Sequence, residues 1–479
     1  MDGLYELANR AQDLWTTLKS DPKQLNISPF DYKSALFVLG ATLAVGCAFS
    51  RWRRNEKTHN KRHSYTPGSK RAFGDWAPQS FSYPKFDASS YPLNEIKPPM
   101  YRPFRWGEYH VTMGIRSMHW GEWIELDDQF ESYYRIRKHR LESKPRELLT
   151  VLPASVRSHD GEGEQVHIAG GSAGAIELVH ELAEYLSRRY PTTFQVERHD
   201  KSFHNYPCGW DGLPPIKAVK VSAVDEKFEL PMPLPLAYIG QETPDIIRQG
   251  EEAMRIASLL VQDDLALMVE GTNGGYYFQA GAILVGGFWR MVDKIGKRLD
   301  EIHISGHVPQ YAEKLQVSLE RFFRRLSVDK PVVRNNYFVQ ISPPSPANST
   351  VDPDQLAWGE YVLGPEETYG GIKGTSAPIP PPPVVTPQNL RMRTERQTLR
   401  RLPRSGAIVF TIRTYLVPVE ELTREPGVAA RFASAVRSWT EDVVEYKGQR
   451  RYSDVLLKYL DEMAAKDESG EIETRPYPF

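Results

Sequence analysis

One serine lies in a segment that has the spacing of a catalytic nucleophile. Residues 170–174 read GGSAG, which matches the G-x-S-x-G pattern that presents a serine, here Ser172, between a strand and a helix. A hydrolase of this kind also needs a histidine later in the chain, and His303 or His307 could serve. The preceding segment is polar and has no HGG-type oxyanion loop. We therefore favour a flexible loop that leads into a helix, with a serine hydrolase using Ser172 as an alternative.

The two cysteines, Cys47 and Cys208, give no sign of metal or disulfide chemistry. Two residues cannot build a disulfide framework, and they lack the paired spacing of a structural zinc site. Cys208 is followed directly by Gly209, whereas a thiolate-heme loop would place its glycine one residue further on. The cysteine usage therefore predicts a reducing compartment and no thiolate ligand.

The composition excludes several classes of protein. The chain has 479 residues, of which 40% are hydrophobic and 25% are charged, values typical of a globular protein. Lys and Arg number 60 against 61 Asp and Glu. This balance gives no support for binding nucleic acid by phosphate neutralisation.

The amino-terminal part has the pattern of a membrane anchor. Residues 35–49 carry no charge and are followed at once by arginines at 51, 53 and 54. At about 1.5 Å per residue this run reaches about 22 Å, so interfacial aromatic residues must extend it to cross roughly 30 Å of hydrocarbon. We predict an extramembrane segment at 1–33, a transmembrane anchor at 34–52 and a basic, Pro-rich tether at 53–97. The positive charges place the rest of the chain in the cytosol. We expect the membrane to be that of the endoplasmic reticulum.

The body of the chain mixes helices and strands without regular alternation. Apolar periodicity predicts helices after Gly174, at 244–260 and at 311–326, and β-rich runs predict strands at 276–285, 332–341 and 407–417. This order favours an α+β fold over a doubly wound parallel sheet. We assign residues 98–425 to the main domain, with a proline-rich loop at 343–387, and residues 426–479 to a helical extension.

Three segments carry a family resemblance. They are residues 100–130, which include YRPFRWGEYHVTMGIRS, residues 295–315, IGKRLDEIHISGHVPQYAEKL, and residues 391–418, which begin RMRTERQTLRRLP. With QDDLALM at 262–268 and PVVRNNYFVQ at 331–340, they resemble the alpha subunit of heme-dependent oxidative N-demethylases, a family whose fungal members are called HRQ proteins. The resemblance covers roughly residues 98–425.

This resemblance implies a PAS-like domain that binds heme b without a covalent bond. It implies an oxidase that uses O2 to oxidise an N-methyl group of a small secondary amine, in fungal secondary metabolism, releasing formaldehyde. The electrons would come from NADPH through a separate flavin/iron–sulfur reductase. A heme-binding, non-catalytic PAS-like sensor is the first alternative, because a fold does not dictate a function.

The resemblance also suggests which residues hold the heme. His303 matches an Ile-His element of the family and is our first candidate for the axial ligand, with His307 as its rival in the same loop. Heme propionates need guanidinium partners. If the third segment opens as a helix, Arg393, Arg396 and Arg400 share one face, with Gln397 and Arg401 beside them. The alternative is a basic surface helix, or a face that docks an acidic reductase.

An ammonium substrate beside an apolar heme face needs a carboxylate or an aromatic wall. Asp264 matches an acidic element of the family, and Glu270 and Tyr276 follow closely. We predict these three as the catalytic group. The alternative is that the acids cap backbone groups or pair with Arg334.

Overall fold

The part of the chain that the structure describes contains twelve strands of two to twelve residues, together with helices. The computed structural model describes residues 71–158, 165–203, 210–235, 238–286, 290–341 and 384–471, and residues from Arg71 onward form one compact unit. The strands are β1 (Arg116–Ser117), β2 (Leu149–Val151), β3 (Ser155–Ser158), β4 (Gln165–Ile168), β5 (Phe194–Arg198), β6 (Ile216–Val221), β7 (Glu226–Glu229), β8 (Asp264–Glu270), β9 (Tyr276–Ala282), β10 (Val332–Ile341), β11 (Leu390–Arg401) and β12 (Ile408–Pro418).

Seven of these strands form one antiparallel sheet in the order β1-β10-β11-β12-β8-β9-β2. Its long centre is the β10–β11–β12 meander, in which Gln397 pairs with Arg334 on one side and Ile412 on the other. A hairpin of β3 and β4 and a three-stranded meander of β5, β6 and β7 lie outside this sheet. Successive residues of a strand project to opposite faces, so this sheet can carry two different layers.

Helices cover both faces of the sheet. Their bounds are α1 (Phe130–Ser143), α2 (Pro145–Leu148), α3 (Ser172–Arg189), α4 (Pro244–Leu260), α5 (Met291–Lys294), α6 (Leu299–Ser305), α7 (Gln316–Arg325, after a π-helical turn at Tyr311–Leu315), α8 (Val419–Leu422), α9 (Val428–Arg437), α10 (Glu441–Tyr446) and α11 (Ser453–Ser469). Helix α4 begins where sequence rules place it, because the Thr243 side chain accepts a hydrogen bond from Ile246 N and Pro244 occupies the first turn.

Two hydrophobic layers and one end cluster hold these elements together. Helices α1, α3 and α4 pack on one face of the sheet, which contributes Leu265 and Leu267 of β8 to that core. The other face contributes Ala266 and Met268 and packs against α5, α6 and α7. Helices α9 and α11 close the end of the meander in a separate cluster. The alternation along β8 therefore separates the two layers residue by residue.

The sequence predicted much of this arrangement. The α+β class is confirmed, and so are the helices at 244–260 and after Gly174 and the strands at 276–285, 332–341 and 407–417, with small differences at their ends. The prediction of a helix at the start of the third segment is wrong, because Leu390–Arg401 is a strand.

The predicted localisation also needs correction. In the part of the chain that the structure describes, no helix has the length and apolar character needed to cross a membrane. A single-pass protein of the endoplasmic reticulum is therefore not supported. The predicted anchor at 34–52, the first part of the tether, most of the proline-rich loop and both cysteines lie outside the described residues.

Candidate functional site

A cavity of about 280 Å³ lies between the sheet and helices α5, α6 and α7. Its walls are mostly apolar, with Met268, Phe278, Met291, Phe323, Leu399 and Phe410 among the lining side chains. The volume is close to the lower end of the range for small-molecule sites, and an apolar wall with a few polar groups is typical of them.

The first candidate for the axial ligand, His303, lies in this cavity wall. His303 is on α6, its Nδ1 is 2.7 Å from the carbonyl oxygen of Leu299, and its ring stacks on Tyr311 with centroids 4.7 Å apart. Burial lowers the pKa of His303 to about 4, so the ring is neutral near pH 7. If Nδ1 donates to the carbonyl, the lone pair is on Nε2, which is the arrangement of a metal-binding imidazole.

The rival histidine lies elsewhere. His307 is exposed, has a left-handed backbone with φ of 49°, and is outside the cavity lining. Helix α6 ends at Ser305, and Gly306 caps it before the chain turns at His307. The end of the helix therefore separates the two histidines, although they are four residues apart.

Polar and charged side chains gather along one part of the cavity. They come from neighbouring strands and from the residue after α10, and they are Arg334, Asn336, Arg393, Glu395, Gln397 and Lys447. Arg393 donates to the carbonyl oxygen of Val285 and to Thr414 Oγ1, both at 3.1 Å, and its Nε is 3.3 Å from Glu395 Oε1. Gln397 Nε2 donates to the other oxygen of Glu395 at 3.0 Å.

The strand conformation of β11 divides the predicted arginine group. Because side chains alternate along a strand, Arg393 and Gln397 line the cavity, whereas Arg396 and Arg400 belong to the opposite face. Arg396 Nε is 3.0 Å from Glu125 Oε1, and Arg400 pairs with Glu181 at 2.9 Å. The helical spacing that would have joined the three arginines does not apply.

Arg401 forms structural hydrogen bonds beyond the end of the cavity. It donates to the carbonyl oxygens of Leu326 and Phe323 at 2.7 and 2.6 Å and to the hydroxyl of Tyr276 at 2.8 Å. Tyr276 is buried, and neither residue is part of the cavity lining. These contacts join β11, β9 and α7.

The two predicted catalytic acids are both in ion pairs. Asp264 lines the cavity, but its carboxylate pairs with Arg137 at 3.0 Å and accepts hydrogen bonds from the backbone N–H groups of Leu284 and Val285. Glu270 pairs with Arg71 and Arg324 outside the cavity lining. Of Asp264, Glu270 and Tyr276, only Asp264 therefore lies in the cavity lining. Its partners are an arginine and two backbone N–H groups, which indicates a structural role.

The serine of the GGSAG segment lies in a tightly packed position. Ser172 is fully buried at the start of α3, and a Cβ on Gly250 of α4 would lie 2.8 Å from the Ser172 Cα. A Cβ on Gly171 would lie 2.4 Å from the carbonyl oxygen of Gln279. The small residues therefore allow α3 to approach α4 and β9 closely. Ser172 is buried and is not among the described residues that line the cavity, which does not favour the hydrolase alternative.

Arg334 and Lys447 are among the cavity residues that were not predicted from the sequence. Arg334 was considered only as an ion-pair partner, although Arg334, Asn336 and Phe338 follow the period of two in a strand that the sequence located correctly. That period was a usable signal. Lys447 lies in the predicted helical extension, and nothing in its local sequence connects it with the cavity.

A buried acid on the opposite face leads to a prediction about pH. Both oxygens of Asp263 are buried and have no hydrogen-bond partner among the described residues. Burial raises the pKa of Asp263 to about 7, against the lowering effect of Arg413, Arg396 and Arg137 and with a small contribution from Glu125. The raised pKa means that the folded state holds a proton that the unfolded state releases near pH 4.

Asp263 therefore contributes stability that is complete below about pH 4 and is lost as the pH rises towards 7. We expect Asp263→Asn to gain stability relative to the unmodified protein across this window, by up to about 1.4 kcal/mol per pH unit. Urea unfolding of both proteins at pH 5, 6 and 7 measures the difference. A difference that does not change with pH would contradict the assignment.

One comparison with known proteins covers most of the chain. The family described as haem-dependent oxidative N-demethylase, alpha subunit-like, matches residues 114–457. This range is more than half of the 479 residues and includes every strand of the seven-stranded sheet. It also includes His303 and the charged residues of the cavity. The chain belongs to the family of haem-dependent oxidative N-demethylase alpha subunit-like proteins.

Proposed function

We propose that this protein binds heme b in the cavity and uses it to remove an N-methyl group from a small amine by oxidation. Family membership supports the heme and the class of reaction. The observation that carries the assignment to this cavity is His303, a neutral imidazole in a mostly apolar wall, with Nδ1 held by a backbone carbonyl group. The antiparallel sheet with helices over the cavity is consistent with the PAS-like domain that the resemblance implies.

The residues present fit a heme in three respects. His303 offers one nitrogen donor on a helix. The apolar lining suits a porphyrin face, and Arg334, Arg393 and Lys447 offer positive charge for propionates. Arg334 Nε is buried and lacks a hydrogen-bond partner among the described residues, so this end is suited to an additional acceptor.

When bound, heme supplies the O2 chemistry that oxidises the methyl group, after which the carbinolamine product separates into formaldehyde and the demethylated amine. The chain contributes position and environment. The bond from His303 to the Leu299 carbonyl group orients the imidazole, and the apolar walls exclude water. Asp264 holds the backbone of Leu284 and Val285 at the cavity edge.

The electrons require a partner in this proposal. The alpha subunit-like family description suggests a second subunit, and we propose a flavin/iron–sulfur reductase that draws on NADPH. Heme b, the amine and this reductase are thus the proposed cofactor, substrate and partner.

A heme-binding sensor without catalysis is the second candidate, and one observation favours it. The acids that line the cavity, Asp264 and Glu395, both contact arginine side chains. Within the described lining, a cationic amine therefore meets no acid that lacks a cationic partner. A sensor would need the same heme fit without a site for the amine.

We expect the full-length protein to take up one equivalent of hemin and to develop a Soret band, because the cavity supplies both a ligand and an apolar environment. We also expect it to release formaldehyde from an N-methylated secondary amine when O2 and a chemical reductant are supplied. Hemin titration and a formaldehyde assay measure the two steps. Heme binding without formaldehyde from a panel of methylamines would favour the sensor, and no Soret band would contradict both candidates.

A further inference from the structure

Among the described residues that line the cavity, Lys and Arg outnumber Asp and Glu. Asp264 is matched by Arg137, which lies outside the lining, and Arg290 by Asp293. At one end of the cavity, the described lining residues include the cations Arg334, Arg393 and Lys447 and the acid Glu395. Among the described residues, this end of the cavity therefore has more cations than acids, and positive charge beside low-dielectric walls favours an anionic ligand.

Arg334 is the cation with the fewest partners. Arg393 is fixed by a backbone carbonyl group, Thr414 and Glu395, whereas Arg334 forms no hydrogen bond or ion pair among the residues that the structure describes. Its Nε is buried, and burial lowers its pKa. A half-buried guanidinium whose Nε is buried and has no described partner gains most from a carboxylate, which accepts two parallel hydrogen bonds.

Lys447 is a second desolvated cation at the same end of the cavity. Its Nζ donates to the carbonyl oxygen of Tyr337 and lies 4.3 Å from the Tyr337 ring centre, 4.8 Å from that of Trp439 and 5.4 Å from that of Tyr109. Burial lowers the pKa of Lys447 to about 7, with Glu395 raising it and Arg334 lowering it. These mutual effects place Arg334, Glu395 and Lys447 in one electrostatic group.

We propose that Arg334 and Lys447 form a carboxylate-binding subsite at this end of the cavity. The carboxylate has two possible sources, the propionates of heme or the carboxylate of an N-methylated amino acid substrate. Both sources rest on the proposed function, because it supplies the heme and the N-methylated substrate. Each of these offers a carboxylate beside an apolar body. The subsite itself rests on the two cations and on the lack of a partner for Arg334 among the described residues.

The test compares ligands that differ only in their carboxylates. Protoporphyrin IX and its dimethyl ester have the same apolar ring and need no axial ligand, so their binding can be measured by fluorescence independently of iron. The variants are Arg334→Gln and Lys447→Met in the full-length protein, and Lys330→Gln on the exposed surface is the control. Arg334→Gln leaves no described partner unsatisfied, and thermal unfolding checks that each variant folds.

If propionates occupy the subsite, each of the two variants should weaken protoporphyrin IX by about 10- to 100-fold and change the ester by less than about twofold, because hydrogen bonds to charged groups are lost only with the acid. If the substrate carboxylate occupies it, both porphyrins should be unaffected, and calorimetry should show weaker binding of sarcosine by a similar factor. Lys330→Gln should change none of these affinities.

The subsite would be overturned if both variants kept the affinity of the unmodified protein for protoporphyrin IX and for sarcosine. It would also be overturned if the unmodified protein bound neither ligand. These results differ from a failure of the proposed function. That failure would appear as no Soret band with hemin in the unmodified protein, while the iron-free porphyrin or sarcosine still reports on Arg334 and Lys447.

Discussion

Replacing His303 by alanine is expected to weaken hemin binding by more than about 100-fold and to abolish formaldehyde release. The imidazole is the nitrogen donor in the cavity wall that the Leu299 carbonyl group orients, and even the loss of an orienting partner costs a metal site about 10- to 100-fold. Hemin titration, followed by the position of the Soret band, measures the change. Added imidazole should restore part of the spectrum by filling the space left by the side chain.

His307→Ala is the matched control, because His307 is exposed four residues further on and lies outside the cavity lining. It should leave hemin affinity within about twofold. The opposite pattern, with loss in His307→Ala and retention in His303→Ala, would assign the ligand to His307. Retention of the histidine-ligand spectrum in both variants would remove this loop from the heme site. Thermal unfolding of both variants separates ligand loss from the lost stacking of His303 on Tyr311.

The elements that were predicted well from the sequence have a regular pattern of apolar residues, which shows which side of the element is buried. Helix α4 combines a Thr–Pro start with a regular apolar stripe, and β10 ends in a run of apolar and aromatic residues. These signals are local, so no knowledge of distant partners is needed. The strand at Leu390–Arg401 is different, because almost all its residues are buried although many are charged.

Buried arginines explain why the strand was mistaken for a helix. A sequence pattern assigns charged residues to the solvent, and then the spacing of Arg393, Arg396 and Arg400 suggests one exposed helical face. In the structure, Arg400 is enclosed by Glu181 and by Trp123, whose ring centre is 4.2 Å from its guanidinium carbon. These partners come from distant parts of the chain, so local pattern cannot reveal that the arginines are buried.

The same limit applies to the site. The family resemblance selected His303, and the structure places it in the cavity wall. Lys447 reaches the cavity through its contact with Tyr337, 110 residues earlier, and this depends on how α10 meets the sheet. Asp264 was selected as a catalytic residue because an acid beside a heme suggests amine binding. Its partner Arg137 lies on α1, which no motif links to it.

Replacing Asp264 by alanine is expected to lower the free energy of unfolding by about 3–5 kcal/mol, because it leaves the Arg137 guanidinium buried without its counter-charge. The side chains of Asp264 and Arg137 are 2% and 0% exposed, so water cannot replace the lost partner. The backbone N–H groups of Leu284 and Val285 also lose their acceptor. Denaturant unfolding measures the change.

Asp293→Ala provides the control, because its ion pair with Arg290 is largely exposed and should contribute at most about 1 kcal/mol. The double variant Asp264→Ala, Arg137→Met should recover part of the lost stability, since it removes the uncompensated charge. A catalytic role would give a different result: Asp264→Ala would unfold like the unmodified protein and bind hemin, but would release no formaldehyde. The comparison therefore decides whether this carboxylate holds the cavity edge in place or acts on the substrate.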